Sequence, residues 1–295
     1  MKYLKNPFDF DVKKLSNLRT VGKIETICFP ENVHEVQKAF KYAKENGLNP
    51  FILGGGSNTL IGHLNTTMLI CDRMYQPHLE IIDDKITVSA NTKINDLISI
   101  AAKKRLYGVE FLGGLPANLG GLISMNAGAY QKNISDFIEW LIYVDDDGEK
   151  IMYKKDIEFG YRNTNINGFV SKVCLKLFIE KDNDFLSLIK SRIDYFIKDR
   201  ESKHPMNYPC LGCFFKNTEQ YTAGYLIEKA GLKSYKIGDA MVSPKHANFL
   251  VNTGNALFED FIELIDYIKK TVYQMYNINL ELEIKIINDK KNSAI

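Results

Sequence analysis

The chain has one tryptophan and five cysteines among 295 residues, and no apolar run approaching the roughly 18 residues that a membrane helix needs. The cysteines (Cys28, Cys71, Cys174, Cys210 and Cys213) are odd in number and irregularly spaced, which argues against a disulfide framework and fits a reducing compartment. An excess of one charge is also lacking. Lys and Arg total 38 against 36 Asp and Glu, leaving +2, with no basic stripe for nucleic acid and no polybasic anchor for a membrane surface. The N-terminal segment MKYLKNPFDFDVKKL alternates charge and lacks the apolar core of a secretory signal. Internal repeats and low-complexity linkers are absent. The expectation is a cytoplasmic protein. A content of 45% hydrophobic and 25% charged residues is that of an ordinary globular chain, long enough for two or three domains.

Residues 31–47 are expected to form a helix: Asn32 caps it, Glu35 closes the capping box, and Val33, Val36, Phe40 and Ala43 share one face. Gly47 and Pro50 stop it, and Phe51-Ile52-Leu53 forms a short buried strand before the loop Gly54-Gly55-Gly56-Ser57-Asn58. Residues 59–74 then read as loop and strand. A dinucleotide fingerprint needs its glycines to open a helix, so that assignment fails. A nucleophile elbow of the G-x-S-x-G type fails as well, because Thr59 stands in its last position.

Strands are expected at 86–89, 138–144 and 173–179, with a helix at 95–105 that is apolar at Leu97, Ile100 and Ala101. Residues 108–130 carry six glycines; that density lets backbone N–H groups approach a ligand, or lets a helix cross a sheet closely. A helix over 184–203, with Leu186, Ile189, Ile193 and Ile197 inward, opens the last domain. A short helix (222–230), a long one (255–276), a strand (280–287) and a frayed tail (288–295) follow.

The densest collection of reactive groups lies in residues 209–252, PCLGCFFKNTEQYTAGYLIEKAGLKSYKIGDAMVSPKHANFLVN. Its Cys210-Leu-Gly-Cys213 pair has the spacing of a redox motif or half a zinc site. Zinc would need two more ligands at suitable spacing, and a thioredoxin-type site a helix after a strand. Neither context is present, and no metal is expected. Cys28, Cys71 and Cys174 have apolar neighbours and read as small buried hydrophobes.

Five motifs stand in order from about residue 18 to residue 287: GGGSNTLI, EFLGGLPANLGGLISMNAGAY, GYRNTNI, GCFFKN with AGYLIEKAGL, and VSPKHANFLVN leading to LELEIKII. By these the chain resembles the UDP-N-acetylenolpyruvoylglucosamine reductase family, flavoenzymes that complete UDP-N-acetylmuramate for bacterial peptidoglycan. The resemblance implies an α+β protein with a two-part FAD-binding unit of the vanillyl-alcohol-oxidase type, residues 1–75 and 76–183. A C-terminal α+β domain, 184–295, would bind the UDP-sugar. FAD and NADPH are the implied cofactors and UDP-N-acetylglucosamine enolpyruvate the substrate, with no obligate protein partner.

On the same basis Gly54, Gly55, Gly56, Ser57 and Asn58 would cradle the FAD pyrophosphate through backbone N–H groups. Gly113, Gly114, Pro116, Gly120, Gly121 and Asn126 would lie along the flavin. Hydride passes to the enolpyruvyl methylene carbon and charge builds beside the carboxylate, so the site needs a cation; Arg162 matches that position. Glu283 matches the catalytic glutamate, with Glu281 the neighbour it could be confused with. Cys213 stands where the family places a serine proton donor. A thiol with an ordinary pKa of about 8.5 is protonated at neutral pH and is a stronger acid than an alcohol. Tyr161, Lys216, Asn217 and His246 match UDP-sugar contacts, although His246 could instead be a structural hydrogen-bond partner. The departures are Lys23, Gln131 and Thr218. Two alternatives stay open: another FAD-dependent oxidoreductase of this fold, with His63 as a flavin tether, or a catalytically impaired UDP-sugar-binding paralogue.

Overall fold

Asn32 starts the first helix, α1 (Val33–Glu45), by accepting the Glu35 N–H at 3.1 Å, while the Glu35 carboxylate reaches back to the Glu31 N–H at 2.9 Å. That reciprocal pair satisfies donors that a helix start leaves open, as the sequence suggested. The computed structural model describes residues 12–182 and 184–289. Its contacts divide the described chain into a first unit (27–55 and 68–200) and a second (12–26, 56–67 and 201–289).

After α1, the strand Asn49–Leu53 lies at an edge of a three-stranded sheet beside Leu64–Cys71. Pro50 is tolerated there because an edge strand has N–H positions that need no partner. The edge position also corrects the expectation of a buried strand: Phe51 and Ile52 are half-buried and only Leu53 is fully enclosed.

The first unit is built on a five-stranded antiparallel sheet in the order Gly148–Tyr153, Ile138–Asp145, Phe169–Lys176, Lys85–Ser89 and Leu79–Ile82. The strand expected at 173–179 starts at Phe169 and breaks at Leu177; Phe178–Ile179 then pairs with Leu106–Tyr107. Helix α2 (Ile94–Lys103) buries Ile94, Leu97, Ile98 and Ala101, a helical stripe that includes Ile98 where the sequence suggested Ile100. A short helix, α3 (Leu119–Ser124), adds Leu119, Leu122 and Ile123 to the same core.

Helix α4 (Phe185–Lys203) buries Phe185 and Ile189, but Leu186 is 57% exposed, contrary to expectation. Ile193 and Phe196 pack on the first unit's core. The buried Arg200 donates from Nε to the Gly113 carbonyl at 2.8 Å and from Nη2 to the Phe111 carbonyl at 2.6 Å, and Tyr130 donates its hydroxyl to Asp199 at 2.6 Å. By contacts the chain therefore changes unit after Arg200, although its sequence pattern changes at 184.

The second unit carries a four-stranded antiparallel sheet, Cys210–Cys213, Phe249–Asn252, Ala240–Val242 and Lys236–Ile237. Helices α5 (Ala223–Lys229) and α6 (Phe258–Tyr276) complete its core with Leu211, Phe214, Phe215, Leu250 and Phe261. The long helix begins three residues later than the pattern suggested. The Asn252 side chain accepts the N–H groups of Gly254 and Ala256, and Asp239 accepts that of Asn255, so these donors are spent in a loop.

The strand expected over 280–287 is confined to Lys285–Ile287, paired in parallel with Thr59–Ile61. Asn288 and Asp289 are not frayed. Asn288 Oδ1 accepts the His63 N–H, and one Asp289 oxygen accepts the N–H groups of Asn65, Thr66 and Thr67 at 2.7–2.8 Å. Residues 290–295, and the N-terminal segment before Val12, lie outside the described residues. Among the described residues no helix is long and apolar enough to cross a membrane.

Arg200→Met removes two charge-assisted hydrogen bonds to buried carbonyls and is expected to cost about 2–4 kcal/mol. Urea unfolding checks this against Arg192→Met on the exposed face of the same helix; an equal loss in both would contradict it.

Candidate active site

The glycine loop after Asn49–Leu53 starts against a buried polar pair. A Cβ at Gly54 would lie 3.6 Å from Asp72 Oδ2, and one at Gly55 would lie 3.4 Å from Asn118 Oδ1. Asn118 Nδ2 donates to both Asp72 oxygens, at 3.2 and 3.0 Å, and Asn91 Nδ2 donates to the Asp72 and Tyr75 carbonyls. Burial raises the Asp72 carboxyl to about 6, although the Asn118 hydrogen bond opposes the shift. Neither Asp72 nor Asn118 stood out in the sequence. The one local sign was a lone acid directly after the apolar run Met68-Leu-Ile-Cys71.

The other glycines of this unit divide by environment. Gly120 packs close: its N–H meets the Ala90 carbonyl at 2.7 Å, and a Cβ there would come 3.1 Å from that of Ala90. At Gly121 a Cβ would meet nothing within 4 Å. Gly113 and Gly114 lie against Ile197 and Arg200 of α4, and Pro116 is exposed.

Asn126 sits at φ +41° and donates from Nδ2 to the Gly160 carbonyl at 3.1 Å. Its Oδ1 is buried with no hydrogen-bond partner. Tyr161 and Arg162 form the turn between the paired strands Phe159–Gly160 and Asn163–Thr164, with Arg162 at φ +60°. The Arg162 guanidinium lies over the Tyr161 ring at 5.1 Å and donates to the Gly128 carbonyl at 3.1 Å. Asn126, Tyr161 and Arg162 are thus gathered around Gly128 and Gly160.

The second unit gathers the remaining candidates. Gly56, at φ +71°, could carry no side chain, since a Cβ would come within 1.9 Å of the Leu15 carbonyl oxygen. Beyond Ser57, Asn58 donates from Nδ2 to the Glu283 carbonyl at 3.2 Å and accepts the Lys285 N–H at 2.9 Å. Glu283 in turn donates its N–H to the Phe214 carbonyl, next to Cys213, at 2.8 Å. Asn248 fixes the same run. Its backbone carbonyl accepts the Phe214 N–H, and its side chain accepts from the Phe215 N–H at 2.9 Å and donates to the Phe215 carbonyl at 2.8 Å. Asn248, 2% exposed, lies inside the VSPKHANFLVN motif but was not singled out in it.

Lys216 pairs with Glu281 at 3.2 Å and also donates its backbone N–H to the Glu281 carbonyl, so Glu281 serves an ion pair. Asn217 Oδ1 accepts the Ala223 N–H at the start of α5. His246 Nδ1 accepts the Asn248 N–H at 3.2 Å, and burial pushes its pKa down. The neutral ring therefore carries its proton on Nε2. His63, the tether candidate, gives its N–H to Asn288. Among the described residues only Asp145, Asp146 and Asp147 bring three possible metal ligands together, and Lys150 already pairs with the first and third.

Two expected outcomes follow from these environments. The Asp72 carboxyl takes up a proton near pH 6 when folded and near about 3.9 when unfolded. Folding therefore binds the proton between those values, and stability falls as pH rises through the window. Asp72→Asn is expected to stabilise the protein by about 2–3 kcal/mol at pH 8 and by nothing at pH 4; equal gains by urea unfolding at both pH values would refute the burial cost. Asn248→Ala leaves the Phe215 N–H and carbonyl buried without that partner and should cost about 2–5 kcal/mol, seen as a lower unfolding midpoint.

A family profile described as an FAD binding domain matches residues 24–152, and one described as the C-terminal domain of UDP-N-acetylenolpyruvoylglucosamine reductase matches residues 204–287. The UDP-N-acetylenolpyruvoylglucosamine reductase of Clostridium tetani is 34% identical over 284 residues, 95% of this chain and 91% of that one. The Staphylococcus aureus protein of the same name is 33% identical over 282 residues, 95% and 92% of the two chains. The crystal structure of UDP-N-acetylenolpyruvylglucosamine reductase from Thermus caldophilus matches with a TM-score of 0.80 at 29% identity, covering 95% of this chain and 98% of that one. This chain, of α+β fold, belongs to the UDP-N-acetylenolpyruvoylglucosamine reductase family.

Proposed function

We propose that the chain reduces the enolpyruvyl group of UDP-N-acetylglucosamine enolpyruvate to give UDP-N-acetylmuramate, using NADPH and FAD, in the cytoplasmic synthesis of peptidoglycan precursors. The observation that carries this reading is the union, in one chain, of an FAD-binding-domain match at 24–152 and the reductase C-terminal domain at 204–287. In this reading residues 1–75 and 76–183 serve the flavin and 184–295 the nucleotide sugar.

The residues present fit FAD on one structural observation: Asn126 Oδ1 is a buried acceptor lacking a donor, and an isoalloxazine ring offers an N–H. Gly54, Gly55, Gly56, Ser57 and Asn58 would hold the pyrophosphate by their backbone N–H groups. Gly113, Gly114, Pro116, Gly120, Gly121 and Asn126 would line the ring and its linker, with Gly121 the position open to a ligand. When bound, FAD supplies a two-electron relay from NADPH to the enolpyruvyl double bond.

The chain's own residues then handle charge and protons. Arg162 supplies the cation that stabilises the charge developing at the substrate carboxylate. Cys213 donates the proton to the carbon beside that carboxylate, its strand held by the Phe214 and Phe215 hydrogen bonds. Glu283 assists the enolic system, tied through its N–H to the residue after Cys213. Tyr161, Lys216, Asn217 and His246 are assigned to the nucleotide sugar, with His246 donating from Nε2.

Steady-state kinetics test the assignment. NADPH oxidation should require the enolpyruvyl nucleotide. Cys213→Ala should lower kcat by about 10²–10⁴-fold with little change in KM, and Cys213→Ser should keep a substantial part. Full turnover in Cys213→Ala would falsify the proton-donor role. Substrate-independent NADPH oxidation with matching oxygen uptake would favour an oxidase.

A further inference from the structure

Cys210 and Cys213 are three residues apart on one strand, a spacing that in a regular strand points the two side chains to opposite faces. The observed pairing removes that separation. Cys210 stands opposite Val251 and Cys213 opposite Phe249, with a register shift between them. Three steps on this strand therefore match two on its partner, so one residue is extra, as in a β-bulge. Gly212, at φ +87°, supplies the left-handed backbone the bulge needs.

Val251 and Phe249 are two residues apart and share a face of the sheet. Residues directly opposite in an antiparallel pair share a face as well, so both thiols project to one side. Leu211 between them is 5% exposed and packs in the core on the other side. The Cα separation of the two cysteines follows that of their partners, about 6.7 Å for two extended residues. That lies at the upper end of the roughly 4.4–6.8 Å Cα range that disulfides span, and the Cβ atoms must close to about 3.5–4.5 Å for the bridge to form. A Cβ at Gly212 would meet nothing within 4 Å, so the bulge has room to tighten. Both cysteines are half-buried thiols; burial pushes that of Cys210 up, which leaves the first oxidation to Cys213.

We propose that Cys210 and Cys213 are a peroxide-sensitive pair, and that their disulfide switches turnover off by consuming the thiol proton of Cys213. The effect on turnover rests on the proton-donor reading above; the formation of the bridge does not. Hydrogen peroxide oxidises one thiol to a sulfenic acid and is reduced to water. The second thiol then attacks that sulfur, forming the S–S bond and releasing a second water. Two thiols and one peroxide thus give one disulfide and two waters, and a small dithiol reverses the change by returning two electrons and two protons.

The test uses the full-length flavin-loaded protein, treated with hydrogen peroxide, quenched with a thiol-alkylating reagent and read by peptide mass and by turnover. The expected result is a 210–213 peptide lighter by two hydrogens and resistant to alkylation, with turnover down by at least about tenfold and restored by dithiothreitol. Cys210→Ser should start with near-normal turnover and lose the dithiothreitol-reversible component. If peroxide yields only sulfenic or sulfinic acid at Cys213, with no bridge, the proposal is wrong and the proton-donor reading stands. If the bridge forms and turnover is unchanged, both fail together.

Discussion

One side chain satisfies both backbone polar groups of Phe215. The residue lies in the second unit's core with no solvent to satisfy its N–H or carbonyl, and the regular ladder to Phe249–Asn252 has ended at Cys213. The Asn248 amide replaces that ladder, accepting from one group and donating to the other. The Phe214 N–H and carbonyl are taken by Asn248 and Glu283. The segment carrying Cys213 is thereby fixed on both sides, and the loop that begins at Leu280 is fixed with it. Asn58 extends the chain of contacts by bonding the Glu283 carbonyl. The proton-donor role proposed for Cys213 asks that its thiol be held to a fraction of an ångström, and these backbone bonds favour that.

The flavin site proposed in the first unit makes a different demand: a surface of backbone that a ligand can approach. Its glycines do not all serve that purpose. Gly120 allows close packing on Ala90, while Gly113 and Gly114 lie under α4, with Arg200 gripping the Phe111 and Gly113 carbonyls. Gly54 and Gly55 rest on the Asp72–Asn118 pair, and Gly121 faces open space. Asp72 is kept at a cost, since its burial opposes ionisation. Asn126, in a left-handed conformation with an unpaired oxygen, stores a similar cost. Such costs are expected where structure is shaped for a ligand and not for stability alone.

Local physics made part of this legible in the sequence. The Asn32 and Glu35 cap of α1 and the failure of the dinucleotide fingerprint both depend on residues a few positions apart. Asp72 and Asn118, or Asn248 and Phe215, meet across 46 and 33 positions, and nothing near either partner announces the other. The strand expected over residues 280–287 was shortened for the same reason: the N–H groups of Glu283 and Lys285 go to Phe214 and Asn58, in separate segments. Leu186 was misplaced because the stripe on α4 ends in a buried arginine, which a hydrophobic pattern does not count. The bulge that turns Cys210 and Cys213 to one face became visible only in the strand register.

In the function proposed, this chain moves an electron pair to an enolpyruvyl double bond and delivers the proton from its own side chain. An anaerobic single turnover in deuterium oxide tests it most directly. NADPH is added first to bleach the flavin absorbance, and UDP-N-acetylglucosamine enolpyruvate follows. The yellow colour is expected to return as the sugar is consumed, and the product to carry one solvent deuterium on the carbon bonded to the carboxylate. A flavin that stays bleached after the sugar is added, or a product with no deuterium at that carbon, would contradict it.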